Sequence, residues 1–122
     1  MTTQELYDQI GGNYTEALSR MSMDALVARF VVRFLDDSSC NEIVAAWKAG
    51  NDEAAFKAAH AAKGVCANLS LTHLSQLSSD ICEALRPGNE ALRAQTDVDA
   101  LVAQLETDYE STIARIKEFQ NG

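Results

Sequence analysis

This 122-residue chain is poor in residues that break helices and in those that build disulfide scaffolds or membrane spans. A single proline, Pro87, and six glycines leave long stretches free to run as helix. The three cysteines, Cys40, Cys66 and Cys82, form no CxxC pair and are odd in number. That sets aside a disulfide framework and points to buried or free intracellular thiols. No apolar run approaches the ~18 residues of a membrane span. The opening Met1-Thr2-Thr3-Gln4-Glu5 also lacks the basic-then-apolar plan of a signal peptide. A cytoplasmic location is therefore expected. Basic residues are scarce: ten Lys and Arg face 18 Asp and Glu, for a net charge of −8. Residues 1–61 hold five basic and nine acidic side chains, and residues 62–122 hold the same numbers, so there is neither a basic arm nor an acidic tail. Such a surface repels the phosphates of nucleic acid and of an anionic membrane. Neither is an expected partner; another protein is.

Alanine and leucine are abundant, which favours helix, and no stretch alternates as a strand would. Residues 3–10 form a short amphipathic segment stopped by Gly11-Gly12, and Tyr14–Met21 adds a turn or two. Ser22 is the expected N-cap of a helix over Met23–Asp37, with Leu26, Phe30 and Phe34 at spacing four. Ile43–Ala49 is helical and ends at Gly50; Asn51 caps the next helix, which runs to about Leu69. After a tight connection at Ser70–Thr72, His73–Arg86 returns, and Pro87-Gly88 breaks it. Asn89 is expected to start the last long helix, where Val98, Leu101, Leu105, Tyr109, Ile113, Ile116 and Phe119 recur every three or four residues. The pattern predicts an all-α fold. Its architecture is an antiparallel up-down four-helix bundle with one or two short extra N-terminal helices, a single domain over residues 1–122.

One stripe of the central helix carries chemistry. With 100° per residue, Phe56, Lys57, Lys63, Gly64 and Ala67 fall within about 60° of His60. Ala55, Ala58, Ala62, Val65, Cys66 and Leu69 cluster on the opposite, core side. His60 is thus expected to face outward. An imidazole is nucleophilic when neutral, its dominant form at pH 7 for a reference pKa of ~6.5. Lys57 and Lys63, one turn to either side, disfavour a further positive charge there. They would also attract a phosphoryl dianion, by about 1–4 kcal/mol at 4 Å before salt screening. Gly64 costs about 1 kcal/mol relative to alanine in mid-helix. Close approach of another backbone or of helix neighbours would account for it.

His60-x-x-Lys63-Gly64, followed by small residues and Asn68-Leu69, resembles the histidine-containing phosphotransfer (HPt) domain of phosphorelays. Chain length, acidity and the position of the motif in the second long helix extend the likeness over most of the chain. The resemblance implies a phosphorelay intermediate with no ATP site and no independent turnover. His60 would take a phosphoryl group through Nε2 from the phospho-aspartate of a receiver domain and pass it to another receiver. Lys63 would steady the phosphoryl oxygens, and Gly64 would give the partner room. Phe56, Lys57, Ala61 and Ala67 would form the docking patch. It further implies no cofactor of its own, Mg²⁺ being supplied by the receiver. Partners would be response-regulator receiver domains and a hybrid histidine kinase, with this chain a monomer. Two positions depart from the pattern. Ser70 stands where relatives commonly have glycine, and Cys82 where many have a glutamine that hydrogen-bonds the imidazole. Asp80 and Glu83, beside Cys82, are expected to point elsewhere.

Other chemistries fit less well. His60, His73, Cys66 and Cys82 include no pair at a usual metal-ligand spacing, so no metal site is expected. His73 opens the return helix and is expected to cap or pack there. The alternative function is a non-catalytic adaptor binding a receiver or kinase without phosphate transfer. The start at Met1 points to a free-standing protein rather than a piece of a larger kinase.

Overall fold

A computed structural model describes all 122 residues, and its regular elements are helices alone. They are α1 (Thr3–Gln9), α2 (Tyr14–Met21), α3 (Asp24–Arg33), a 3₁₀ turn at Phe34–Asp36, α4 (Ser39–Lys48), α5 (Asp52–Asn68), α6 (Thr72–Leu85), α7 (Glu90–Ala94) and α8 (Val98–Asn121). No helix is long and apolar enough to cross a membrane.

Local chemistry explains most boundaries. Thr2 and Glu5 form a reciprocal capping box at α1, and the side chains of Asn13, Asn51 and Asp97 accept backbone N–H bonds that start α2, α5 and α8. Gly50, at φ 73°, makes the left-handed turn between α4 and α5.

Four boundaries differ from the sequence expectation. Ser22 does not cap α3; it is the left-handed end of α2, at φ 74°, where the chain reverses within two residues. The long helix expected over Met23–Asp37 tightens into a 3₁₀ turn at Phe34 and stops at Asp37. The Asp37 carboxylate accepts from both the N–H and the hydroxyl of Ser39, so α4 starts four residues ahead of Ile43. Asn89 opens only the five-residue α7. Thr96 then donates its hydroxyl to the Leu92 carbonyl and Asp97 caps a fresh helix, so two polar side chains compete with helix continuation.

A cluster of 26 buried apolar residues runs from Leu6 to Ile116. Helix α5 packs chiefly against α6 and α4, and α8 against the same two. From α5 only Ala55, Ala59, Ala62 and Cys66 are buried, small enough for its neighbours to come close. Ala59 replaces Ala58, Val65 and Leu69 of the expected core side, which are only half-buried. Helix α6 contributes Leu74, Leu77 and Ile81, and α8 contributes Val102, Leu105 and Ile116. Each such side chain is worth about 1.5–3 kcal/mol of burial. Val102 is missing from the three-to-four spacing read for α8, because that spacing drifts around the helix while the core face does not.

The N-terminal helices fasten the α5–α6 turn. Tyr7 donates its hydroxyl to the Leu69 carbonyl at 2.7 Å, Asn13 N–H donates to Ser70 O at 2.8 Å, and His73 N–H donates to Gly11 O at 3.1 Å. A Cβ on Gly11 would lie 2.8 Å from that of His73, and one on Gly12 would lie 2.6 Å from the Tyr7 ring. Arg20 donates to the carbonyls of Ala67 and Asn68 and to the Ser70 hydroxyl, which in turn donates to Glu16. Ser70 itself sits at φ 55°, the backbone region where glycine is free of strain.

Candidate functional site

The middle of α5 brings the stripe to the surface. His60, Lys57, Ala61, Gly64 and Ala67 are exposed, while Phe56 and Lys63 are half-buried. The Phe56 ring lies one turn before His60, with ring centroids 6.4 Å apart. Gly64, one turn after, faces open space: a Cβ built there would meet nothing within 4 Å. Helix packing, which does require Gly11 and Gly12, is therefore not the reason for Gly64. The exposed Ala61 lies on a shallow groove floored by Ala45, Ala46, Ala54 and Ala58 and edged by Glu42 and Lys57.

The two lysines do not stand bare. Lys57 pairs with Glu53 at 3.2 Å, back along its own helix. Lys63 faces Glu83 of α6 at 3.9 Å. The sequence reading turned Glu83 away, and the structure corrects this. The α6 helix packs on α5 with its Glu83 and Arg86 side toward the His60 stripe, and the register of that packing is a tertiary property. Arg86 forks onto Glu83 through Nε at 3.2 Å and Nη2 at 3.0 Å, while its guanidinium covers the Phe56 ring at 5.3 Å. The Arg86 hydrogen bonds, more than the nearby charges of Arg86, Lys63 and His60, hold the Glu83 carboxyl below the usual carboxylate range. The same bonds push the Arg86 guanidinium up. A Phe56–Arg86–Glu83–Lys63 chain thus rims His60, and two of its members, Glu83 and Arg86, were not among the sequence candidates. Their i, i+3 spacing marks a helical ion pair, but only the α5–α6 contact says what it faces.

Cys82 lies in the core, fully buried. Burial is the main influence that pushes its thiol up, and its hydrogen-bond partner is Arg86 Nη2 at 3.9 Å. Cys66 is equally buried, and the neighbouring Cys40 thiol together with burial pushes it well up. His60 and Cys66 occupy opposite sides of α5, and no group of three or more His, Cys, Asp or Glu gathers where it could hold a metal ion. His73 pairs through Nε2 with Asp108 at 2.6 Å, tying the start of α6 to α8 as a packing residue would.

Chemically, the site offers one exposed imidazole on a rigid helix, an ammonium three residues along, an aromatic face and an unobstructed approach over Gly64. It has no enclosed cleft: the cavities nearby are open grooves, one of about 470 Å³ between the start of α5 and the α6–α7 turn and one of about 630 Å³ beside Ala61. A small molecule is poorly enclosed by such a surface, whereas a protein carrying its own reactive pocket can close over it.

The family profile described as Hpt domain matches residues 29–114, from within α3 to within α8. No curated protein and no solved structure matches the chain.

Proposed function

The chain belongs to the Hpt domain family, and on that premise we propose that His60 is the residue that carries the phosphoryl group. Members of the family serve histidine phosphotransfer in two-component phosphorelays and interact with receiver domains and histidine kinases. The observation that carries the assignment is the exposure of His60 one turn before Lys63 and an unobstructed Gly64. Of the two histidines, His73 is already engaged with Asp108.

The reaction is a displacement at phosphorus. The lone pair of a neutral Nε2 forms the new P–N bond as the P–O bond to a receiver aspartate breaks, the electron pair leaving with the carboxylate. The ring proton on Nδ1 is retained or released to water. Because the transition state is loose, positioning and charge account for most of the acceleration. Lys63 neutralises the phosphoryl oxygens once they arrive. Phe56, Lys57, Ala61 and Ala67, exposed or half-exposed around His60, form a modest docking patch of the kind transient partners use. Gly64 lets the partner's backbone come close. No cofactor of the chain's own is involved, and Mg²⁺ comes with the receiver. Helices α4, α5, α6 and α8 act as an antiparallel up-down bundle, and residues 1–122 act as one monomeric domain. A hybrid histidine kinase is a further partner.

The test mixes the purified chain with a phosphorylated receiver domain and Mg²⁺, beside His60→Gln. Phosphate should move to the wild type alone and be acid-labile and alkali-stable, with receiver binding retained in the variant. Binding without transfer in the wild type would instead mark an adaptor.

A further inference from the structure

Lys63 stands within reach of two anions. It faces Glu83 at 3.9 Å in the resting chain. It also lies three residues from His60 on the same helix, the spacing at which side chains meet, so a phosphoryl group on the ring would draw on the same ammonium. Arg86 is less available for that role. It is committed to Glu83 by two hydrogen bonds and stacked over Phe56. Glu83 is itself held in place by that fork and lies close enough to His60 for their charges to interact. We propose that Glu83 is a positioning residue that limits the lifetime of the phosphoryl group on His60 by competing with it for Lys63.

This rests on the phosphocarrier reading above and adds to it a residue that never touches the reacting atoms. In the unphosphorylated chain the Glu83 pair keeps Lys63 ordered but neutralised. On phosphorylation the ammonium turns to the dianion and the carboxylate loses a counter-ion, so the phosphorylated state is raised in free energy. Loss of the group by hydrolysis moves the oxygen of water onto phosphorus. The P–N electron pair returns to the ring nitrogen, which takes up a proton from that water. Lys63 goes back to Glu83. A carrier must hand its cargo on, and a built-in competitor keeps the cargo from being held too firmly.

The experiment loads the whole chain with potassium phosphoramidate, a small donor that needs no partner; its P–N bond breaks, ammonia leaves and the bond to His60 forms. After removal of the donor, the decay of phosphate at His60 is followed by mass spectrometry of fragments at neutral pH. Glu83→Gln, which keeps the size and hydrogen-bonding capacity, should lengthen the half-life about threefold, in line with release of one exposed ion pair. Lys63→Ala should shorten it, and in that background Glu83→Gln should change it little. An unchanged or shortened half-life in Glu83→Gln, or the same lengthening with and without Lys63, overturns the proposal. A wild type that gains no phosphate at His60 from phosphoramidate or from a receiver overturns the carrier reading itself, a result seen before any variant is compared.

Discussion

At the scale of single residues, Gly64 separates stability from function. It lies in the exposed interior of α5 with nothing near it, so glycine there costs the folded chain free energy without any return from packing. Gly64→Ala should raise stability by about 0.5–1 kcal/mol, read from urea denaturation, and at the same time slow phosphoryl exchange with a receiver severalfold. A variant that is more stable and transfers at the wild-type rate would remove the close-approach role. His60, Lys63 and Gly64 were legible in the sequence because i, i+3 and i, i+4 positions on one helix share a face whatever the rest of the chain does. Glu83 and Arg86 were not, since their relation to His60 passes through the contact of two helices.

At the scale of elements, α5 is a helix whose end is finished by another part of the chain. Its last turn has no basic residue and no glycine stop. Arg20, from α2, supplies the donors instead, reaching the carbonyls of Ala67 and Asn68 at 2.9 and 2.8 Å. Those bonds relieve the orphan carbonyls of the helix end and, through Ser70, brace a left-handed residue that is not glycine. Arg20→Ala should cost about 1–2 kcal/mol, measured by chemical denaturation. A change of a few tenths would show that water serves these carbonyls as well as the guanidinium does. The family match begins at residue 29, so this cap comes from outside the matched region.

At the scale of the whole molecule, Tyr7 links the N-terminal helices, the core and the α5–α6 turn. It is fully buried, and burial pushes its phenol up to about 12, well above an exposed tyrosine. Unfolded, the group loses its proton near pH 10; folded, it keeps it until about 12. The folded state therefore binds more protons in that window, and stability falls as pH rises from about 10 to about 12. Below pH 10 the contribution is fully present. Tyr7→Phe should flatten this alkaline loss relative to the wild type while lowering stability at neutral pH by about 1 kcal/mol, from the lost bond to Leu69. Denaturation curves at pH 8 and pH 11 check both; an equal alkaline loss in the variant would place the titrating group elsewhere.

The amino-acid order by itself determined that the chain is helical, where α5 lies, and that His60, Lys63 and Gly64 share its outer face. Those features depend on local backbone geometry and on apolar periodicity, which neighbouring residues set. Tertiary structure alone decided that Lys63 rests on Glu83, that Arg86 covers Phe56, and that Arg20 closes α5. Each of these turns on the rotation of one helix against another or on a side chain reaching across the fold. Packing fixes such relations by burying apolar area, and no spacing within one segment encodes the partner it will meet.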